Sequence, residues 1–351
     1  MKTKNKSLKV GSFILYGALT VFVLLFALSL GDFSEIQKVL KAVDTRQVLL
    51  AMLCILVYAA LYPLSLCILT RARKCSVSML KTYTIAMTEH FFNGITPFAT
   101  GGQPFQVYAF SKAKVKASDS TGLLLMNFMV FMIVTNSFAA CSLFFFSRFV
   151  TDRAMAFIAA IGFTANFIVL AMTFLLATSR RVRSWISRFL AFLCRSKRIS
   201  RLLSPRISTL NEYFEQVQEA FAALMRQKGA FFLSLASKIL CMTFYYAATF
   251  FILRALGVAA PWKDLFFVIC GTSFAITMVV FLPTPGSTGG IEFAFKSVFA
   301  SIAAGAAVSV AYSGMLIWRL LSYYFVMLIS LGFYILLEIL FSKEKRKEKP
   351  L

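Results

Sequence analysis

The sequence predicts an all-α polytopic helical membrane protein with two inverted repeats, each containing a Gly/Pro-broken re-entrant hairpin. Three observations predict it: an apolar composition, a series of uncharged runs of membrane-crossing length, and one short motif that occurs twice. Of the 351 residues, 59% are hydrophobic and 15% charged, and mean hydropathy is +0.78. That is too apolar for a water-soluble globular chain of this size. A hydrocarbon core about 30 Å thick needs roughly 20 apolar residues per helical crossing, so the length accommodates about six to nine crossings and no sizeable soluble domain. The 37 Lys and Arg against 14 Asp and Glu, net +23, then report orientation and contact with anionic lipid rather than nucleic acid.

The first uncharged run, 12–30, follows the basic MKTKNKSLK terminus. It is longer than a signal-peptide core and lacks a small-residue cleavage site, so it reads as a retained span. Further runs cover 48–69, 121–146, 154–178, 230–253, 265–282 and 308–340, the last long enough for a tilted helix. The N-terminus and the segments 71–81, 112–116, 180–206, 226–228 and 343–349 hold 27 of the 37 basic residues, which assigns them to the cytoplasmic side. Both termini are therefore expected in the cytoplasm, with 179–229 a basic cytoplasmic loop and 343–351 a basic tail. Within that loop, 207–228 is amphipathic, with Leu210, Phe214, Val217, Phe221 and Leu224 on one stripe. It suits a helix on an anionic leaflet, one docked on the bundle, or a simple connector. Seven cysteines are scattered without a CxxC pair, so neither a disulfide framework nor a zinc site is supported, and no metal or cofactor is expected.

The segment 82–110 is apolar yet interrupted by Pro97, Gly101, Gly102 and Pro104, and it lies between two basic segments on one side. It is too short for two full crossings. The chain is expected to enter to mid-depth, turn and return, which is tolerable only where protein or water surrounds the freed backbone. Pro97-Phe-Ala-Thr100-Gly101-Gly102-Gln103-Pro104-Phe105 and Pro285-Gly286-Ser-Thr288-Gly289-Gly290-Ile-Glu292-Phe293 share P-x-x-T-G-G-x-x-F at an offset of 188. Each copy sits between apolar helix-length runs, which places a second hairpin near 265–304, with Pro283, Pro285 and Gly286 at its break. Three crossings separate the copies, so the second opens from the opposite side, the arrangement of inverted-topology repeats. Ordinary Gly/Pro kinks are the alternative. A helix that begins at mid-membrane presents unpaired amides, so Gly289 and Gly290 are candidate donors to a phosphate.

Five charges, Glu89, Lys238, Glu292, Lys296 and Arg319, fall inside apolar segments, at about 2.5 to 3.5 kcal/mol each. Glu89 and Asn93 are one turn apart and can both face the first break. Glu292 and Lys296 share a face, either as a self-neutralising pair or as functional groups. Arg319 is placed to pair with either glutamate or to clamp a phosphate. Lys238, eight residues into its span, is expected to snorkel to the cytoplasmic edge. His90, the only histidine, is read as structural.

The stretches Phe92-Asn93-Gly-Ile-Thr-Pro97-Phe-Ala-Thr100-Gly101-Gly102-Gln103-Pro104 and Pro283-Thr-Pro285-Gly286-x-x-Gly289-Gly290-x-Glu292 resemble those of the lysylphosphatidylglycerol synthase transmembrane (flippase-like) family, the membrane half of multiple peptide resistance factor. The resemblance covers nearly the whole chain and includes the Arg319 region. It implies a lipid-handling protein of the bacterial plasma membrane that moves an anionic, aminoacylated or polyprenyl-linked lipid between leaflets. Glu89 and Glu292 would then meet cationic groups, while Arg319, Lys296 and the Gly289–Gly290 amides would meet phosphate. Partners implied are the anionic or aminoacyl-phospholipid, a separate lipid synthase or a second copy of the chain, and no nucleic acid. In two-part members a cytosolic domain transfers lysine from charged tRNA to phosphatidylglycerol. The chain reaches Leu351 about ten residues after its last run, so that domain is expected to be absent. A phosphatidylglycerol lysyltransferase activity linked to cationic peptide resistance, and a non-transporting envelope scaffold, are the alternatives.

Overall fold

A computed structural model describes residues 43–96, 99–150, 152–193, 207–279, 290–302 and 308–347. The 12–30 run, Pro97, Pro283, Pro285, Gly286, Thr288 and Gly289 lie outside the described residues, as do the side chains of Glu292 and Lys296. Among the described residues the chain is all-α. Among the described residues six stretches are long and apolar enough to cross a membrane: Thr45–Ala72, Ala117–Phe149, Arg153–Thr178, Lys228–Ala255, Trp262–Val279 and Ser313–Glu344. In Arg153–Thr178 only 17% of the apolar window is buried in the protein. Such a helix is stable only with lipid against it, and the chain is a multi-pass membrane protein.

The first described crossing is two helices, α1 (Thr45–Leu61) and α2 (Leu64–Ala72). Asp44 caps α1 by accepting from the Arg46 amide at 2.9 Å, and Pro63 separates the two because it supplies no amide to the helical ladder. Helix α3 (Met79–Gly94) starts at Ser78, whose hydroxyl accepts from the Lys81 amide. It carries Thr82, Thr84 and Thr88 into the interior, each hydroxyl donating back to a carbonyl three or four residues earlier. After the break, α4 (Gly102–Lys112) runs back along it. Both ends of this unit reach one end of the bundle: Arg73, before α3, pairs with Asp119, after α4, at 2.7 Å.

Helix α5 (Ala117–Ser142) continues through a 3-10 turn into the short α6 (Phe146–Phe149). Asp152 caps α7 (Arg153–Thr178) through the Met155 amide at 2.8 Å. Then come α8 (Arg180–Leu193) and α9 (Ile207–Arg226). The α9 stripe docks on the bundle rather than lying free, since Val217, Phe221 and Leu224 are buried and Gly122 of α5 passes Ala220 closely enough that no Cβ would fit. The basic segments 71–81, 112–116 and 226–228 converge with the end of the last helix: Gln227 donates to the Ala72 carbonyl, Lys112 pairs with Glu338, and Lys81 with Glu344.

At the other end Asp44 donates its amide to the Ala255 carbonyl, joining the start of α1 to the end of α10 (Lys228–Ala255), with which it packs extensively. Helix α11 (Leu265–Val279) follows a 3-10 turn at Trp262–Asp264. It packs against α12 (Gly290–Ile302), whose last residue presses on Gly271 midway along α11. The final crossing runs from α13 (Val308–Arg319) through a π-helical stretch, Leu320–Phe325, into α14 (Val326–Lys347). Helices α7 and α11 cross at Gly162, where an added Cβ would lie 2.4 Å from the Met278 carbonyl oxygen. Because that neighbour is backbone, Gly162→Ala should cost about 1 to 3 kcal/mol, read as a lower thermal unfolding temperature in detergent; an unchanged temperature would show that the helices can part.

Candidate functional site

The polar groups buried in the bundle gather around Glu89, in the last two turns of α3. Its carboxylate accepts from Gln106 Nε2 of α4 at 3.3 Å, and the Tyr62 and Asn93 side chains lie close enough to act on it. Gln106 is fully buried and reaches the Ile85 and Ala86 carbonyls as well, each at 3.4 Å. From α10, Lys238 is 1% exposed, and its charge acts on Glu89. The ammonium donates to the Tyr62 carbonyl at 3.2 Å and sits 3.9 Å from the centre of the Tyr62 ring. The expectation that Lys238 snorkels to the cytoplasmic edge is therefore wrong. Pro63 opens the α1–α2 ladder, and two of the carbonyls at that opening are met from other helices, Tyr62 by Lys238 and Ala60 by the Tyr83 hydroxyl at 3.1 Å. A lysine offered a carbonyl, an aromatic face and a carboxylate inside the bundle need not reach for water.

The two glycines of the first break are what let α4 approach. A Cβ on Gly102 would lie 2.6 Å from Asn93 Oδ1 and 2.7 Å from Glu89 Cγ; one on Gly101 would lie 2.8 Å from the Phe92 carbonyl oxygen. Asn93 accepts from the Gly102 amide at 2.8 Å, and Thr96 from the Gly101 amide at 2.9 Å, so side chains of α3 and of the turn after it cap the start of α4. Ala99 takes φ +50°, a left-handed conformation that costs a non-glycine residue about 1 to 2 kcal/mol and marks the turn. Thr100 and Pro104 are exposed and Gln103 half-buried, so of the residues proposed around this break, Glu89, Asn93, Gly101 and Gly102 converge while those three stand at its rim.

A second backbone irregularity lies beside it. Ser330 of α14 is fully buried, accepts from the Phe91 amide at 2.9 Å and donates to the Met87 carbonyl at 2.5 Å, placing its hydroxyl in the α3 ladder next to Glu89. Tyr323, inside the π-helical stretch, donates to the Gly94 carbonyl at 2.8 Å where α3 ends. The bundle thus satisfies carbonyls of its broken helix with hydroxyls from the last crossing, Tyr323 of the π-helical stretch and Ser330 of α14.

From Lys238 an aromatic series continues toward the second half of the chain. His90 packs against Tyr62 at 4.2 Å and Tyr58 at 5.7 Å between ring centres; Tyr58 meets Tyr245 at 4.6 Å, Tyr245 meets Trp318 at 5.6 Å, and Trp318 lies 4.4 Å from Phe295 of α12. Arg319 is 4% exposed, stands over the Tyr323 ring at 5.1 Å and acts on Tyr245. Gly290 is buried at the start of α12, which also carries Glu292 and Lys296 in its backbone. Gln106 Oε1, His90 Nε2 and Trp318 Nε1 are buried along this series without a hydrogen-bond partner. Among the described residues no three His, Cys, Asp or Glu side chains group as a metal site requires.

A broken helix packed on itself over a buried carboxylate, within a bundle of lipid-facing spans, agrees with the comparison to known families, in which the model described as Lysylphosphatidylglycerol synthase TM region matches residues 13–330. The chain belongs to this family. No curated protein and no solved structure matches the chain. The stretch matched by the lysylphosphatidylglycerol synthase TM region spans both T-G-G motifs, Glu89, Lys238 and Arg319. Tyr62 and Gln106 are the members of this site that pattern reading missed, and Lys238 is one that it named but placed at the cytoplasmic edge. The available signal was Pro63, a proline inside an apolar span, which requires side chains from elsewhere to meet freed carbonyls.

Proposed function

We propose that this lysylphosphatidylglycerol synthase TM region moves a phospholipid between the leaflets of the bacterial plasma membrane, with both termini and the basic end of the bundle in the cytoplasm. The cargo is anionic, aminoacylated or polyprenyl-linked. The observation that carries the reading is the buried pair of opposite charges, Glu89 and Lys238, with hydrogen-bonding capacity left over beside them at Gln106 Oε1 and His90 Nε2. Charged groups inside a membrane bundle are costly and mark transport pathways. A headgroup crossing hydrocarbon needs groups of both signs to replace its water, the carboxylates of Glu89 and Glu292 for ammonium and the cations of Arg319, Lys296 and the α12 start for phosphate.

The disposition of the broken helices supports the inverted-repeat reading. The ends of the α3–α4 unit meet at the basic end through Arg73 and Asp119, whereas the last residue of α12 lies against Gly271, midway along α11, a position also flanked by Phe149 at the far end of the α5–α6 crossing. Neither α3, 16 residues, nor α4, 11 residues, is long enough by itself to cross. A re-entrant hairpin from each side, meeting over a polar chamber, accounts for both facts.

Liposomes carrying fluorescent phosphatidylglycerol or lysyl-phosphatidylglycerol test the proposal through the fraction of label open to an external quencher. Wild-type protein should accelerate leaflet exchange, and Glu89→Gln should slow it at least about tenfold, since a charge-assisted hydrogen bond is worth roughly 1.5 to 3 kcal/mol. Glu292→Gln is expected to act in the same direction. Exchange that depends on protein yet ignores both substitutions would remove the glutamates from the pathway, and no exchange of either lipid by wild type would remove the transport reading.

A further inference from the structure

Helix α8 follows the last residue of the α7 crossing by a single position. Ser179 makes the break with extended backbone (φ −88°, ψ 115°), and its hydroxyl accepts from the Val182 amide at 3.3 Å, so α8 starts as a separately capped helix. One face of α8 is polar and occupied: Arg183 pairs with Glu215 of α9 at 2.9 Å and Ser187 donates to Asn211 at 2.6 Å. Helix α9 is in turn fixed to the bundle through Ser118–Gln216, Thr121–Tyr213 and the Gln218 bond to the Leu176 carbonyl. The opposite face carries large exposed aromatic side chains, among them Trp185 at 73% exposure and, one turn on, Phe189 at 60%. Arg181 and Arg188 flank them, also exposed, and α8 contains four arginines and no acidic residue.

We infer that α8 lies in the headgroup layer of the cytoplasmic leaflet, with Trp185 and Phe189 inserted at the glycerol level and Arg181 and Arg188 on anionic headgroups. Three observations select the bilayer as the occupant of this face. Phe174, Leu175 and Leu176 near the end of α7 are exposed apolar residues, so the hydrocarbon reaches within a turn or two of where α8 begins. The polar face is already taken by α9. The charge beside the aromatic face is uniformly positive, which suits phosphatidylglycerol-like headgroups on an anionic surface. The aromatic pair supplies the interfacial preference of Trp and Phe. The element that contacts the leaflet is thus α8, and α9, whose apolar stripe stands out in the sequence, is the strut that holds it there.

Trp185 is its own reporter. In full-length protein carrying Trp262→Phe and Trp318→Phe, reconstituted in vesicles of phosphatidylcholine with or without phosphatidylglycerol, Trp185 emission should be blue-shifted and quenched by lipid labelled shallow in the chain. Quenching should be at least about twofold greater with the anionic lipid, an advantage that Arg181→Gln with Arg188→Gln removes. The difference between wild type and Trp185→Phe gives the same reading with Trp262 and Trp318 intact. Emission at the wavelength of water-exposed tryptophan, open to aqueous iodide in both vesicles, would overturn the inference. So would protection from iodide that follows protein concentration in detergent, which would assign the face to a second copy, or protection that appears only with an added soluble partner. The result is independent of lipid transport, since α8 can seat on the leaflet whether or not the bundle carries cargo.

Discussion

Replacing Lys238 by Met should destabilise the protein by about 3 to 5 kcal/mol, the effect of stranding one member of a buried charge pair. Lys238 is 1% exposed, and its ammonium stands between the Tyr62 carbonyl and the field of Glu89. Methionine keeps the apolar stem but leaves Glu89 without its cation and Tyr62 without its donor. The check is thermal unfolding of purified protein in detergent, in a square of four: wild type, Lys238→Met, Glu89→Gln and the double variant. The double variant should recover most of the stability lost by Lys238→Met, because no uncompensated charge remains, while its lipid transport stays low. Equal unfolding temperatures for wild type and Lys238→Met would show that the two charges are energetically independent, and the site would lose its centre.

Gly101→Ala and Gly102→Ala should each abolish transport and cost about 1 to 3 kcal/mol, whereas Gly332→Ala should do neither. At Gly101 the new Cβ meets backbone, the Phe92 carbonyl oxygen at 2.8 Å; at Gly102 it meets the Asn93 Oδ1 that caps the same residue. Relief requires α4 to move away from α3, which withdraws Gln106 from Glu89. Gly332, on α14, has nothing within 4 Å of a built Cβ, so alanine there is expected to be neutral or to stabilise by up to about 1 kcal/mol through helix propensity. Leaflet exchange and detergent unfolding on the three variants decide it. Transport by Gly101→Ala at the wild-type rate would mean that the close approach of the two helices is not part of the pathway.

The break between α3 and α4 was legible because its causes are local. Two prolines and two adjacent glycines interrupt an apolar run, and each acts through its own backbone. Glu89 and Asn93 were legible for a related reason, since residues four apart on a helix share a face. Lys238 was not. Its distance from the end of its span favours snorkelling, and only the opening at Pro63, 175 residues earlier in the chain, offers it a carbonyl and a ring instead. The α9 stripe shows the same divide. Its apolar periodicity announces a buried face but not whether lipid or protein buries it, and the packing of Ala220 against Gly122 answers that. Ser330 gives no pattern at all: a lone serine in an apolar helix becomes part of the α3 ladder only because α14 lies along it.

By itself the sequence determined that the chain lives in a membrane as a helical bundle, because hydropathy and helix length are set residue by residue against a solvent of fixed thickness. Tertiary structure decided which charges meet, which broken carbonyls find donors and which amphipathic helix is left facing outward. Those outcomes depend on neighbours far apart in the chain, and the energy of a buried polar group is the energy of its partner.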